Sequence, residues 1–413
     1  MAEVRPFRGV LPAREWAAQV ASRPYHDYLE GEREAIMRIN PYSFLHVLNP
    51  GFRIHRSMKG IDRFQLVRSR YKEFLDESIF VREEHPSFYV YQVSQSGYTF
   101  TGFLGATSVN DYNQGVIRKH EETLRNKEDL FAHYLQTVGF NSEPVLITYR
   151  EDESLRELLR NTCRRESDLE ITCAEGDTHA LWRISDPAEI EHIRLGFAGQ
   201  SELYIADGHH RSASSAQYCQ FELDRRPSMP PEDPARFFMS YLISEQQVRI
   251  GSFSRYLTDL NGMGKTEFLK RLEVHFEVRP VEGFPGIPSR TREFVMYLDD
   301  GFYQLSAREE RLEMGGSPLI LDTVLLYDSV LMPILGIKDL RNDPRIAYST
   351  GQQSLPDMKM AVDSGRYAVA FALHPLSVDE LKRVADDNLV MPPKTTFIEP
   401  KMRNGLVIYE LFD

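Results

Sequence analysis

The sequence predicts an α/β fold, α+β over the whole chain, with a central unit of alternating strands and helices flanked by mixed N- and C-terminal α+β regions. Three observations predict it. Strand and helix patterns alternate from 108 to 250. The apolar run Leu203-Tyr204-Ile205-Ala206 breaks at Asp207-Gly208 into a helix pattern of small residues. Hairpin and capping signals recur on both sides of that unit.

Residues 1–107 form the first region. A polar stretch, Arg23-Pro24-Tyr25-His26-Asp27, precedes helix-like segments, and Phe64 to Phe80 places Phe64, Val67, Tyr71, Phe74 and Leu75 on one helical face. Ser87–Val93 and Tyr98–Leu104 then read as strands joined through the hairpin turn Ser96-Gly97. Residues 108–250 are the central unit. Pro144–Tyr149, Ala180–Ile184, Leu203–Ala206 and Phe238–Ile243 read as strands, and Ser154–Asn161 as a helix. Asp186-Pro187-Ala188-Glu189 opens another helix, with proline at its first position. Residues 251–413 are the third region. Glu293–Leu298 and Phe302–Ser306 flank the hairpin turn Asp299-Asp300-Gly301, Tyr367–Leu373 reads as a strand, and Ser377-Val378-Asp379-Glu380 is a capping box. A stiff polar segment, Met391–Lys401, precedes a closing strand, Leu406–Leu411.

The chemistry is densest at Asp207-Gly208-His209-His210-Arg211. A strand that turns into a helix start leaves backbone N–H groups aimed at one point, and the helix dipole favours an anion there. The loop adds a guanidinium, two imidazoles and a carboxylate, a costly group to place directly after a core strand unless it is used. Two further groups attract attention. Lys119-His120-Glu121-Glu122-Thr123 stands before the helix pattern of Leu124, Phe131, Tyr134, Leu135 and Val138, where Glu121 and Glu122 are expected to stabilise a helix start. Lys394, Thr395 and Lys401 offer cations and a hydroxyl suited to phosphate or carboxylate.

Composition narrows the classes. A formal net charge of −12 counts against extended nucleic-acid binding. Cys163, Cys173 and Cys219 have no spacing that suggests zinc or a disulfide framework, so a reducing cytoplasm is the expected location. No apolar run reaches membrane-spanning length, so no membrane partner is expected. No metal site is assigned: His120, Glu121, His209 and His210 could supply ligands, but the pairs are far apart in sequence and lack the His-Glu-x-x-His helical spacing, so the signal is weak.

The His120–Thr123 box, the Ile-Ala-Asp-Gly-His-His-Arg run and the Met391–Lys401 segment, in this order along the chain, together resemble the domain-of-unknown-function 1015 family. Arg23–Asp27 departs from that family's Pro-Pro-Tyr-Asp pattern, so no role is carried over to Tyr25 or Asp27. The middle region also resembles the ParB/sulfiredoxin-like superfamily, and within it the free serine kinases. That resemblance implies a nucleotide-binding core. It implies a base at Glu121, a loop carboxylate at Asp207, and a phosphate cradle at Gly208, His209, His210 and Arg211. His120, Thr123, Lys394, Thr395 and Lys401 are the substrate-side candidates. The implied reaction is phosphoryl transfer from ATP or ADP, with Mg²⁺, to the hydroxyl of a small metabolite such as serine. CTP is a further donor that the sequence does not separate from these. The rival classes are a non-catalytic nucleotide-binding module, a sulfiredoxin-like reductase and, on a weak signal, a metal hydrolase built on His120, Glu121, His209 and His210. The reductase needs a cysteine where this loop has histidines.

Overall fold

The structure, a computed structural model, describes residues 1–29, 31–52, 60–299, 301–308, 321–349 and 355–412. The chain divides into two compact units, Met1–Val248 with Pro400–Asp413, and Arg249–Glu399. Among the described residues the fold is α+β, with helices distributed over four sheets.

The first unit is built on a nine-stranded mixed sheet. Its path runs Ile117–Arg118, Leu203–Asp207, Val145–Tyr149, Phe237–Ser244, Tyr98–Ser108, Phe88–Gln95, Thr178–Ile184 and Leu169–Thr172, and Val4–Arg5 pairs alongside Tyr98–Ser108. Two pairings are parallel, Leu203–Asp207 with Ile117–Arg118 and Phe237–Ser244 with Val145–Tyr149; the others are antiparallel. The strands nearest the middle are apolar on both faces and Phe237–Ser244 is buried throughout, as expected of strands covered on both sides. At the centre of this sheet Gly102 lets two strands approach closely, since a Cβ there would lie 2.3 Å from the Leu242 carbonyl oxygen.

The expected cut at 107/108 falls inside the Tyr98–Ser108 strand. Its two neighbours, Phe88–Gln95 and Phe237–Ser244, lie on opposite sides of that cut in sequence, so the two regions share one sheet. The hairpin at Ser96-Gly97 forms with φ of 50° and 80°, the left-handed pair that a two-residue turn of this hand requires. The helix expected over Phe64–Phe80 spans Ile61–Asp76 and buries Phe64, Val67, Tyr71 and Phe74 against Val10, Phe44, Phe80, Phe140 and Ile408. Phe80 instead begins a strand of a second sheet, ordered Phe80–Arg82, Gly9–Pro12, Ile408–Glu410 and Phe140–Asn141.

A partly buried polar network sits towards the edge of the large sheet, with Arg403, His179 and Tyr91 buried. Arg403 Nη2 donates to Glu175 at 2.9 Å and to Asp177 at 3.4 Å, while His179 Nδ1 lies 2.6 Å from the Tyr91 hydroxyl. Burial, reinforced by the Arg403 charge, lowers the His179 pKa to about 4. With an unfolded value near 6.5, the folded state favours the neutral ring. Its contribution is complete above pH 6.5 and is lost as pH falls towards 4. Urea unfolding at pH 5 should therefore show about 2 kcal/mol less stability from this group than at pH 7. In His179→Gln that part of the pH dependence should vanish; an unchanged pH profile would remove His179 as its source.

The second unit holds a six-stranded antiparallel sheet, ordered Phe276–Val281, Gly301–Ala307, Glu293–Leu298, Val369–Leu373, Arg255–Leu257 and Ile346–Tyr348, with apolar clusters on both faces. The hairpin expected at Asp299-Asp300-Gly301 joins two of these strands, and Asp300 itself lies outside the described residues. A two-stranded ribbon pairs Arg249–Gly251 with Phe397–Glu399. The capping box is complete: the Ser377 side chain accepts from the Glu380 N–H at 3.1 Å, and Glu380 accepts from the Ser377 N–H at 2.9 Å. Ser377→Ala should cost the unit about 1 kcal/mol by calorimetry, and a change within experimental scatter would deny the cap a role in stability.

Candidate functional site

The loop after Leu203–Asp207 is shaped by a bulge and a glycine. The pairing register with Val145–Tyr149 shifts between Ile205 and Asp207, a distortion that re-aims the side chain at the strand's end. Gly208 then adopts φ 102°, and the helix His209–Arg225 begins at the next residue. A Cβ on Gly208 would meet the Arg211 guanidinium at 2.8–3.1 Å. Glycine is therefore needed both for the backbone conformation and for Arg211 to fold back over its own loop. Ser212, Ala213, Ser214 and Ser215 are all buried, which seats the first turns of the helix close against the sheet.

Arg211 is committed within the protein. Its Nη1 donates to Glu143 Oε1 at 2.6 Å and its Nη2 to Asp207 Oδ2 at 2.8 Å. Glu143 was not among the residues singled out in the sequence. It ends the turn before Pro144 and the Val145–Tyr149 strand, the neighbour of the loop strand, and only that pairing brings it to Arg211. Lys401 joins the same place: with Pro24, Glu143, Asp207, Arg211 and Tyr241 it lines a small recess of about 20 Å³. Burial pushes the Asp207 carboxyl up, but the Arg211 and Lys401 charges outweigh it and hold the carboxyl below the usual range. Asp207 is thus an anion at neutral pH.

The His120–Thr123 box departs from its expected place. The helix it was expected to open spans Arg125–Val138, and Glu128, not Glu121 or Glu122, is the acid of its first turn. Thr123 donates its hydroxyl to Glu128. Helix-end stabilisation is therefore not what Glu121 and Glu122 do. The box runs instead out of the short strand Ile117–Arg118, which pairs in parallel with Leu203 and Tyr204. Two parallel strands emit their following residues at the same end, so the box and the Asp207–Arg211 loop leave the sheet side by side. The helices that follow them pack together, with Gln217 donating to Asp129.

The consequence is a compact group. His209 Nδ1 lies 3.5 Å from Glu121 Oε2, and the backbone N–H of His120 donates to His209 Nε2 at 3.4 Å, across 89 residues of sequence. The two imidazole rings meet edge-on with centroids 4.4 Å apart. Both histidines are buried, and burial drives their pKa values down, His120 to about 4 and His209 well below its ordinary value. Both are neutral at physiological pH. The Glu121 side chain is 38% exposed, so it joins the buried histidines to solvent. His210 is half-buried, and its carbonyl accepts from the Ser214 hydroxyl at 2.6 Å. Donor atoms of His120, Glu121 and His209 all lie within 4.8 Å of one another, a convergence that the wide sequence spacing of these residues signals only weakly.

Lys394 and Thr395 belong to the second unit, where they are engaged. The Thr395 hydroxyl donates to the Pro392 carbonyl at 2.6 Å, and Lys394 Nζ lies 5.0 Å from the Phe253 ring centroid. The group around Glu121, Asp207 and Arg211 is assembled from first-unit residues, Lys401 among them. No described helix is long and apolar enough to cross a membrane.

A protein with a strand–glycine–helix loop on a mixed sheet, and a carboxylate–histidine group beside it, is an α+β protein with a preformed polar site. The chain belongs to the family described as protein of unknown function (DUF1015), whose model matches residues 4–325. No curated protein matches it. Several solved structures are similar to it, among them the following three. SbnI with a C-terminal truncation, from Staphylococcus aureus, is 12% identical with a TM-score of 0.37, covering 73% of this chain and 85% of that one. A mutant free serine kinase in complex with ADP is 13% identical with a TM-score of 0.34, covering 71% and 85%. A conserved hypothetical protein from Pyrococcus furiosus is 13% identical with a TM-score of 0.33, covering 74% and 94%.

Proposed function

We propose that this chain is a nucleotide-dependent phosphotransferase acting on the hydroxyl of a small metabolite, with free serine as the leading acceptor and ADP or ATP as the donor. The observation that carries the reading is the meeting of its two boxes: Glu121 lies 3.5 Å from His209, the second residue after the Asp207 carboxylate. The resemblance of those boxes to the base and phosphate loop of free serine kinases, on a ParB/sulfiredoxin-like core, supports it further.

Phosphoryl transfer needs an oriented nucleophile and charge stabilisation more than covalent help. Glu121, with a carboxylate oxygen against the His209 ring and an exposed side, is the group to accept the acceptor's hydroxyl proton. The N–H groups opening the His209–Arg225 helix, placed by Gly208, are the donors for phosphate oxygens. Lys401 adds positive charge beside Asp207. Arg211 uses one Nη1 and one Nη2 donor on Glu143 and Asp207, so a guanidinium already positioned by two carboxylates keeps further N–H donors for a phosphate. Oxygen donors suit Mg²⁺, and Asp207 with Glu143 fits that preference; bound there with the nucleotide, the ion would neutralise phosphate charge.

The test is phosphorus NMR of the full chain with ADP, ATP or CTP against serine and a panel of small hydroxy acids and amino acids. A new phosphomonoester resonance is expected with at least one pair. Nucleotide binding without any phosphomonoester would favour a non-catalytic nucleotide-binding module.

A further inference from the structure

We propose that His120, Glu121 and His209 form a binding site for a divalent transition-metal ion of the zinc type. Two imidazoles and one carboxylate are the donor set of borderline metals, whereas Mg²⁺ and Ca²⁺ prefer oxygen alone. Three protein ligands leave a fourth position, and the partly exposed Glu121 side chain puts that position towards solvent.

The geometry fits the ion. The 3.5 Å between His209 Nδ1 and Glu121 Oε2 is the edge of a tetrahedron whose metal–ligand bonds are about 2.0–2.2 Å. Donor atoms of all three residues already lie within 4.8 Å of one another, so the third ligand, His120, need close by only about 1 Å to complete the set. Binding through Nδ1 of His209 puts that ring's proton on Nε2. The contact given up is the 3.4 Å bond from the His120 N–H, at the long limit for such a bond.

A second, independent observation is His120 itself. It is 1% exposed, and neither ring nitrogen has a hydrogen-bond partner among the described residues. Buried polar atoms are nearly always satisfied, and an imidazole beside a second imidazole and a carboxylate is satisfied by a metal. The parallel pairing of Ile117–Arg118 with Leu203–Tyr204 fixes the approach of the two loops, so the ligand set is built by the sheet rather than by flexible surface chains.

The site stands independently of phosphoryl transfer, because binding is read without nucleotide or acceptor. It also bears on that reaction: with the ion bound, the Glu121 carboxylate is a ligand and no longer accepts a proton.

The experiment uses the full chain, stripped with a chelator and exchanged into metal-free buffer. Titration with Co²⁺ should produce the intense visible absorption of a low-coordinate nitrogen–oxygen site, abolished by one equivalent of Zn²⁺ and untouched by Mg²⁺. In His120→Gln and in Glu121→Gln the Zn²⁺ affinity, measured by competition, should fall roughly ten- to a hundred-fold or more. Circular dichroism identifies variants that keep the wild-type fold; Glu121 is partly exposed, so its variant tests the site even if His120→Gln does not fold. Absence of a Co²⁺ band, or wild-type Zn²⁺ affinity in a folded Glu121→Gln, would overturn the site. Zn²⁺ binding with no phosphomonoester would leave the site standing and remove the kinase; a phosphomonoester with no metal band would do the reverse.

Discussion

Glu121→Gln is expected to lower turnover by roughly a hundred-fold or more while nucleotide affinity stays near that of the wild type, because removing a general base acts on the chemical step and not on donor binding. The substitution is nearly isosteric, and Glu121 lies outside the Arg125–Val138 helix, so no helix cap is lost with it. Its carboxylate faces His209, a ring that burial keeps neutral, so no buried ion pair is broken either. Both facts separate a catalytic loss from a structural one. Thermal unfolding should be little altered, while the rate of phosphomonoester formation collapses. Equal turnover in the folded variant would place the base elsewhere. An equal loss of nucleotide affinity would mean that Glu121 acts on binding.

Arg211→Ala is expected to weaken nucleotide binding by about 1.5–3 kcal/mol, the range of a charged hydrogen bond. Its guanidinium lies between two carboxylates, Glu143 at 2.6 Å and Asp207 at 2.8 Å. Removing it therefore does more than delete a phosphate donor. It leaves two anions at the place where the phosphates must enter, and their repulsion opposes the nucleotide. Arg211→Lys keeps the charge but loses the fork that reaches both carboxylates, and should fall between wild type and alanine. These pairs are only partly shielded, so the accompanying loss of folding stability should be about 1 kcal/mol or less. Calorimetry with ADP and ATP separates the two effects. Unchanged affinity in folded Arg211→Ala would exclude the loop from nucleotide binding.

Much of the local structure was legible in residues a few positions apart. Ser377 and Glu380 specify their cap because the two side chains need only the first helical turn to meet. Asp186 and Pro187 start their helix for the same reason, and Ser96-Gly97 turns its hairpin because the dihedral angles it needs are local. Element ends were less legible: Phe80 continues the apolar spacing of the helix before it, but sheet pairing with Gly9–Pro12 takes it as a strand. The box around Glu121 reads as a helix start because acids before an apolar periodic run commonly stabilise one. What decides otherwise is the Ile117–Arg118 strand, two residues long and too short to show a pattern of its own.

By itself, the sequence determined the α+β class, the strand, glycine and helix that make the Asp207–Arg211 loop, and the chemical types placed there. These follow from backbone periodicity and turn stereochemistry, which act over a few residues. Only the tertiary structure decided that the regions before and after residue 108 share one sheet, that Glu143 and Asp207 claim Arg211, and that Lys394 and Thr395 are engaged within the second unit. It alone brought Glu121 and His120 to His209. Each of those outcomes depends on which distant strands pair and in what direction, a choice made by burying complementary apolar faces across many residues of intervening chain.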